Sequence, residues 1–444
     1  MPDRSRRFAH ELVDLLFDHI EQVGERPVVE WRSSDELREL VRIDGAQADP
    51  LELARLVARF SIQLHHSSYM GHQVCPPFLD AVSGDFLISA LNQSTAVWEM
   101  SPIGTVIEKE VIRWLADRVG YPESSEGTTV SGGSAANLTG LLAARARFDS
   151  GGRPVIITSA DAHYSIARAA AIMGIPSEDV LKVATDERHR LDAGALEETL
   201  AAIEARPDAA VLAIVATAGS TATGAFDHLD EIALLRDRYR TWLHVDAAHG
   251  ASLVLSDRLK HLVRGLERAD SFSWDPHKMM WMPLSLGTIM VRDGIWLRRA
   301  FEADAPYLFN ARAAGENLGE MTLQCSKRAD AIKLWLMLRS RGVAPFAAAM
   351  EHVTDVTRYL YECVRDSEDF EPVHEPQLNI FCFRRRGFDD AATAELRERL
   401  IRSGRAWITT TVLRGERVLR VTMMNPRTTE GDVEQMLDAL REMA

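Results

Sequence analysis

Between Thr128 and Arg292 short apolar runs alternate with helical periodicity, and this alternation constrains the fold more than any other feature of the chain. The runs are "PVIITS" (154–159), "AAVLAIVAT" (209–217), "WLHVDAA" (242–248) and "LGTIMVR" (286–292). Helical patterns separate several of them, as at Ala195–Ala205 and Leu229–Tyr239. A strand that reads apolar without alternation is buried on both faces. Strands of that kind joined through helices form a largely parallel sheet covered on both sides. The expected class is therefore α/β. In such sheets ligands gather at the carboxyl ends of the strands.

The flanks read differently. Residues 5–24 place Phe8, Leu12, Leu15, Leu16, Ile20 and Val23 on one helical face, and a second helix is expected near Pro50–Leu64. An apolar stripe with little to close over it suits an arm that packs on a second subunit, or an ordinary helical cap. From about Val343 the order is helix (345–366), strand (378–384), helix (390–403), strand (417–423) and helix (429–442), a smaller C-terminal α+β domain. No internal repeat or low-complexity tract is present.

Composition narrows the function. With 444 residues the chain is too long for one simple core. A net charge of -14 argues against a nucleic-acid partner. Cys75, Cys325, Cys363 and Cys382 have neither metal nor disulfide spacing, which fits a reduced, cytoplasmic setting. The first twenty residues lack the apolar core of a signal peptide. No stretch approaches the roughly 20 apolar residues of a membrane span. His65, His66 and His72 cluster without a carboxylate at ligand spacing, so no metal is expected.

Five stretches carry possible chemistry. In "SFSWDPHKMMWM" (271–282), Lys278 is set against methionines and tryptophans. Either its stem is buried and its head reaches water, or a dry pocket eases loss of its proton and frees an amine for Schiff-base chemistry. In "TVSGGSAANLTGLLAARAR", Gly133 and Ser134 open a helix. Free N–H groups and the helix dipole make a phosphate site there, though such a turn is also an ordinary cap. Asp246 ends the strand of "LHVDAAHG", and His163 lies between a strand and a helix in "TSADAHYSIARAA". Each could be a cap or a core residue. "ATAGSTATGAFD" ends a strand in small hydroxyl residues. Taken together they fall at one sheet edge. A phosphate site, a flat-ring stacker, a carboxylate and a desolvated lysine are the parts that hold pyridoxal phosphate.

The motifs "SGGSAANLTGLLAAR", "DAHYSIARAA", "TAGSTATGAFD", "HVDAAHGA", "WDPHK" and "TLQCSKRADAIKLWLMLRSRG" resemble, in order, those of the group II pyridoxal-phosphate-dependent amino acid decarboxylases. The resemblance implies fold type I, the aspartate-aminotransferase-like architecture. It implies an N-terminal arm (1–80), a large cofactor-binding domain (81–341) and a small domain (342–444). It also implies a homodimer with the site at the subunit interface, and an amino acid substrate that loses CO₂ through an external aldimine and a quinonoid. Lys278 matches the residue that binds pyridoxal 5'-phosphate covalently. Asp246 matches the acid that keeps the pyridine nitrogen protonated, and His163 the imidazole stacked on the ring. Gly133, Ser134, Thr221, Ala248 and His277 match cofactor contacts. Arg420 matches an arginine that meets the substrate carboxylate in some members, and it could equally form a surface salt bridge.

One departure stands out. Members of the family often carry a tyrosine in a loop before the "QCSKR"-like stretch, as the proton donor. Here no tyrosine lies between Leu308 and Arg328, and Tyr307 falls too early. A slow donor would expose the intermediate to oxygen, so a decarboxylating oxidative deaminase is an alternative; a non-catalytic cofactor-binding dimer is another. Residues 310–321 hold Gly315 and Gly319 and few large apolar groups, so this segment is expected to move. The segments matching the pocket mouth offer Tyr69, Gln73, Val74, Gln93 and Trp98, with one acid, Glu99, and no lysine or arginine. Gln73 and Trp98 are candidate substrate residues, and the lining suits a neutral or aliphatic amino acid.

Overall fold

The computed structural model describes residues 2–43, 45, 47–302 and 315–444. The chain divides into two compact units, Met1–Pro76 with His352–Ala444, and Pro77–Glu351.

The unit Pro77–Glu351 is built on seven strands: β1 (Glu126–Val130), β2 (Arg153–Ser159), β3 (Val180–Val183), β4 (Ala209–Thr217), β5 (Trp242–Asp246), β6 (Ser271–Trp274) and β7 (Gly287–Val291). Their order is β1-β7-β6-β5-β4-β2-β3. Strands β3, β2, β4, β5 and β6 run parallel, and β7 is antiparallel to both β6 and β1. The fold is therefore α/β, with a mostly parallel sheet, as expected. Every residue of β5, β6 and β7 is buried, which is why these strands read as unbroken apolar runs. Helices Gly133–Arg147, Ala193–Glu204 and Leu229–Tyr239 connect strands in the crossovers. The second begins where Asp192 accepts the Ala195 N–H at 2.9 Å.

Two polar clusters are buried in this unit. Helix Pro102–Val119 carries Glu108, whose carboxylate receives Lys327 Nζ at 2.6 Å and the Thr129 N–H at 2.8 Å; both charged side chains are 1% exposed. On β5, His244 lies between Ser271 Oγ (2.8 Å) and Asn137 Oδ1 (3.0 Å). Burial pushes its pKa down to about 4, against the pull of Asp246.

In the other unit, β8 (Phe370–Pro372), β9 (Ile380–Arg385), β10 (Thr409–Leu413) and β11 (Glu416–Thr422) form an antiparallel sheet in the order β10-β11-β9-β8. The N-terminal segment joins it through the backbone. Val28 N–H donates to Gly404 O at 2.9 Å, Met70 N–H to Trp407 O at 2.9 Å, and Thr422 N–H to Met70 O at 3.0 Å. Helices Pro2–Glu21 and Pro50–Phe60 belong to this unit. Among the described residues no helix is long and apolar enough to cross a membrane.

Two outcomes follow for stability. Removing one partner of the Glu108–Lys327 pair, as in Glu108→Gln or Lys327→Met, strands a buried charge and should cost about 3–5 kcal/mol in urea unfolding. Replacing both together with Leu and Met should recover most of that loss. For His244 the folded pKa lies below the ordinary value near 6.5, so the unfolded chain binds more protons between the two values. The stability from a neutral His244 is fully present above pH 6.5 and lost as pH falls toward 4, by about 3 kcal/mol. Melting temperatures measured across that range should fall less steeply for His244→Gln than for the wild type.

Candidate active site

Because β2, β4, β5 and β6 are parallel, their carboxyl ends share one edge of the sheet, and Thr217 at the end of β4 pairs with Asp246 at the end of β5. His163 follows β2, Thr221 follows β4, and Lys278 follows β6. The structure thus brings Lys278, His163 and Asp246 to one edge of a single unit.

Asp246 is 8% exposed. Asn137 Nδ2 donates to its Oδ2 at 2.9 Å; Ser273 Oγ and the Ala248 N–H reach its Oδ1 at 3.1 and 3.3 Å. A buried carboxylate needs such donors, since without them burial costs several kcal/mol. Asn137 Nδ2 also donates to Ser165 Oγ at 2.9 Å, and Ser165 Oγ lies 2.8 Å from His163 Nδ1. Burial lowers the pKa of His163, against the attraction of Asp246. Asn137, Ser165 and Ser273 did not emerge from the sequence. The available signal was Asn137 itself, a weak helix former inside a helix and 1% exposed.

Lys278 opens a run, Met279–Met282, that is wholly buried. Its Nζ is 3.1 Å from Asp275 Oδ2, and its side chain is 19% exposed. Trp281 sits at φ +50, a left-handed conformation that costs a bulky residue about 1–3 kcal/mol and persists only where packing enforces it. Phe78 packs on its ring at 5.9 Å. Asp275, also missed by sequence reasoning, accepts the Gly133 N–H at 2.9 Å. Gly133 therefore contributes chiefly space, since a Cβ there would meet Ala248 Cβ at 2.8 Å. Gly132, at φ +150, and Gly287 complete this cradle; a Cβ on Gly287 would come within 2.5 Å of Gly132 Cα. His277 Nδ1 accepts the Leu286 N–H at 3.1 Å, and burial lowers its pKa.

Ser134 is exposed at the N-terminus of helix Gly133–Arg147, whose N-cap Gly132 has no side chain to cap it. Ala248 is buried beside Asp246, and Thr221 is exposed on the turn after β4. Trp98 lies against Gly315, and its N–H donates to Asn317 Oδ1 at 3.1 Å. Tyr307 and residues 310–314 lie outside the described residues. The rest of the segment expected to move is instead anchored: Gly319 N–H donates to Ala96 O at 2.9 Å, and Leu318 and Met321 are buried. These two apolar side chains are the reason, and the glycine content of the segment hid them. Glu316 bonds Arg298 at 2.9 Å and also pairs with Lys109. Burial would raise its pKa, but these cations outweigh it and the net shift is downward. Gln73 and Arg420 belong to the other unit. Arg420 is 5% exposed on β11, with Nη1 donating to Thr409 Oγ1 at 3.3 Å, so it is no surface residue. Burial lowers its pKa, opposed by Cys382 and Tyr69.

The residues present fit pyridoxal 5'-phosphate. A helix begins at the glycine pair Gly132 and Gly133, in a cradle that a Cβ would fill, and an acid, an imidazole and a lysine share the same edge. Comparison with known proteins agrees. The family described as "Pyridoxal-dependent decarboxylase conserved domain" matches residues 54–386. An aromatic-L-amino-acid decarboxylase of Bacillus atrophaeus is 31% identical over 460 residues, covering 100% of this chain and 96% of its own. An L-2,4-diaminobutyrate decarboxylase of Rhizobium meliloti (strain 1021) is 36% identical over 411 residues, covering 90% and 82%. The crystal structure of mouse CSAD superposes with a TM-score of 0.91 at 27% identity, covering 100% of this chain and 99% of that one. The chain belongs to the pyridoxal-dependent decarboxylase family and is a lyase that uses pyridoxal 5'-phosphate to decarboxylate an amino acid.

Proposed function

We propose that the protein removes the α-carboxylate of a neutral or aliphatic L-amino acid as CO₂ and releases the amine, with Lys278, Asp246 and His163 carrying the reaction. The observation that carries this reading is the convergence at one sheet edge of the Lys278–Asp275 pair and the hydrogen-bonded chain from Asp246 through Asn137 and Ser165 to His163. When bound, pyridoxal phosphate supplies an electron sink for the bond that breaks at Cα.

The chain's own residues do the rest. Lys278 would hold the cofactor covalently through Nζ, which Asp275 Oδ2, 3.1 Å away, positions at the edge. Asp246, fixed by three donors, would offer its carboxylate to the cofactor's ring nitrogen. His163, at the same edge, would pack on the cofactor ring. Gly133, Ser134, Ala248, Thr221 and His277 complete the cofactor contacts. Arg420, desolvated and positive, is suited to an anionic group, with Gln73 and Trp98 as further substrate contacts. Glu316 is engaged by two cations, which disfavours it as the group that returns a proton to Cα.

The named relatives include aromatic and diaminobutyrate decarboxylases, so side-chain charge varies within the family. Here the uncharged Tyr69, Gln73 and Trp98 favour a neutral side chain. A homodimer accounts for the exposed apolar side chains Phe86, Leu87 and Leu91 on helix Leu79–Leu91.

The test is product analysis of the holoenzyme with the common L-amino acids, in air and under nitrogen. Amine and CO₂ should form in equal amounts from a neutral substrate in both atmospheres. Aldehyde, ammonia and peroxide dominating in air, with matching oxygen uptake, would contradict the reading. Asp246→Asn should fold normally, as judged by circular dichroism. It should lose roughly 10²-fold in kcat/KM, about 3 kcal/mol of transition-state stabilisation.

A further inference from the structure

A single hydrogen-bonded chain links the buried core of the sheet to His163, and its polarity is set by groups that have no choice of role. Trp242 Nε1 can only donate, and it does so to Ser271 Oγ at 2.8 Å. Asn137 turns its Nδ2 to the Asp246 carboxylate, so its Oδ1 must accept from His244 Nε2–H at 3.0 Å, and the neutral His244 then accepts the Ser271 hydroxyl proton at Nδ1, 2.8 Å away. The same Nδ2 donates both to Asp246 Oδ2 and to Ser165 Oγ, each at 2.9 Å, as an acceptor carboxylate requires. The Ser165 hydroxyl proton then points to His163 Nδ1 at 2.8 Å. The Ser165 backbone N–H, which can only donate, also reaches that nitrogen at 3.3 Å.

We propose that Asn137 is a positioning residue that holds Asp246 and His163 in register and, through Ser165, fixes His163 as an imidazole with its proton on Nε2. The inference rests on the reading of Asp246 and His163 as the groups that face the cofactor ring. It goes further in giving His163 a defined role. Nε2 makes no hydrogen bond among the described residues, so its N–H is offered to a ligand acceptor such as a carboxylate oxygen. A proton on Nδ1 would be set against the Ser165 backbone N–H, which can only donate. Asn137 cannot replace a proton that Ser165 gives up, since an amide does not relay one here. His163 is thus a hydrogen-bond donor, and the proton returned to Cα comes from another group. The charged side chains that bear on the His163 imidazole are Asp246, Lys278, Asp275 and Arg168.

The test is nitrogen NMR of full-length protein labelled in its histidine rings, with His163 assigned by its loss in His163→Gln. Wild-type His163 should show the Nε2–H tautomer in both apoprotein and holoenzyme. In Asn137→Asp the Ser165 hydroxyl proton turns to the new carboxylate and its oxygen presents a lone pair to Nδ1, which favours a proton there, whereas Ser165→Ala leaves no such acceptor. Asn137→Asp should show a mixed tautomer, with kcat reduced roughly 10²-fold and KM little changed. Ser165→Ala keeps the backbone N–H, so it should keep the tautomer while kcat falls by less than in Asn137→Asp. An Nδ1–H tautomer in the wild type would overturn the proposal whether or not Asn137→Asp folds. So would a wild-type tautomer and kcat in Asn137→Asp, or an undiminished kcat in Ser165→Ala. A protein that takes no pyridoxal phosphate would refute the reading of the site instead, and the apoprotein spectrum keeps the two failures apart.

Discussion

The buried carboxylate of Asp246 is the constraint on which the rest of the site depends. Taking that group out of water is costly, and the cost is met only if donors converge on it from several directions. Asn137 comes from helix Gly133–Arg147, Ser273 from β6 and the Ala248 N–H from the turn after β5. All three elements must therefore be in place together. The parallel run from β2 to β6 achieves this by bringing the strand ends to one edge. Asp275 beyond β6 repeats the theme, with one oxygen shared between Lys278 Nζ and the Gly133 N–H. Two acids and one lysine thus fix the geometry of the edge.

Much of this was legible in the sequence. Strands β2, β4, β5 and β7 were readable because burial on both faces leaves an unbroken apolar run. β3 was not, since Val180–Val183 is short and only its last residue is buried. The antiparallel direction of β7 is absent from its composition, because an apolar run reads the same either way. β10 was hidden by its threonines, which serve turns as readily as strands. In the site, Lys278, Asp246 and His163 stood out as groups whose chemistry is visible in the residue type. Asn137, Ser165 and Ser273 did not, since neutral polar residues acquire a role only from the partners they meet. Asp275 was overlooked for another reason: followed by a proline, it reads as a turn.

The segment 315–321 shows the same limit from the opposite side. Two glycines suggested freedom, yet one of them, Gly315, is small because Trp98 lies against it. Leu318 and Met321 are buried, and the Asn317 side chain accepts the Trp98 N–H. Glycine content signals mobility only where nothing packs against the gap. Close approach of a large side chain explains a glycine equally well.

The central claim is that Lys278, held beside Asp275, is the amine that carries the cofactor. Borohydride reduction of the holoenzyme followed by peptide mapping tests it most directly. The account predicts a pyridoxyl group on Lys278. Lys327 and Lys333 are committed to buried ion pairs with Glu108 and with Asp85 and Asp330, and neither should be labelled. A pyridoxyl group on any lysine other than Lys278 would contradict the account.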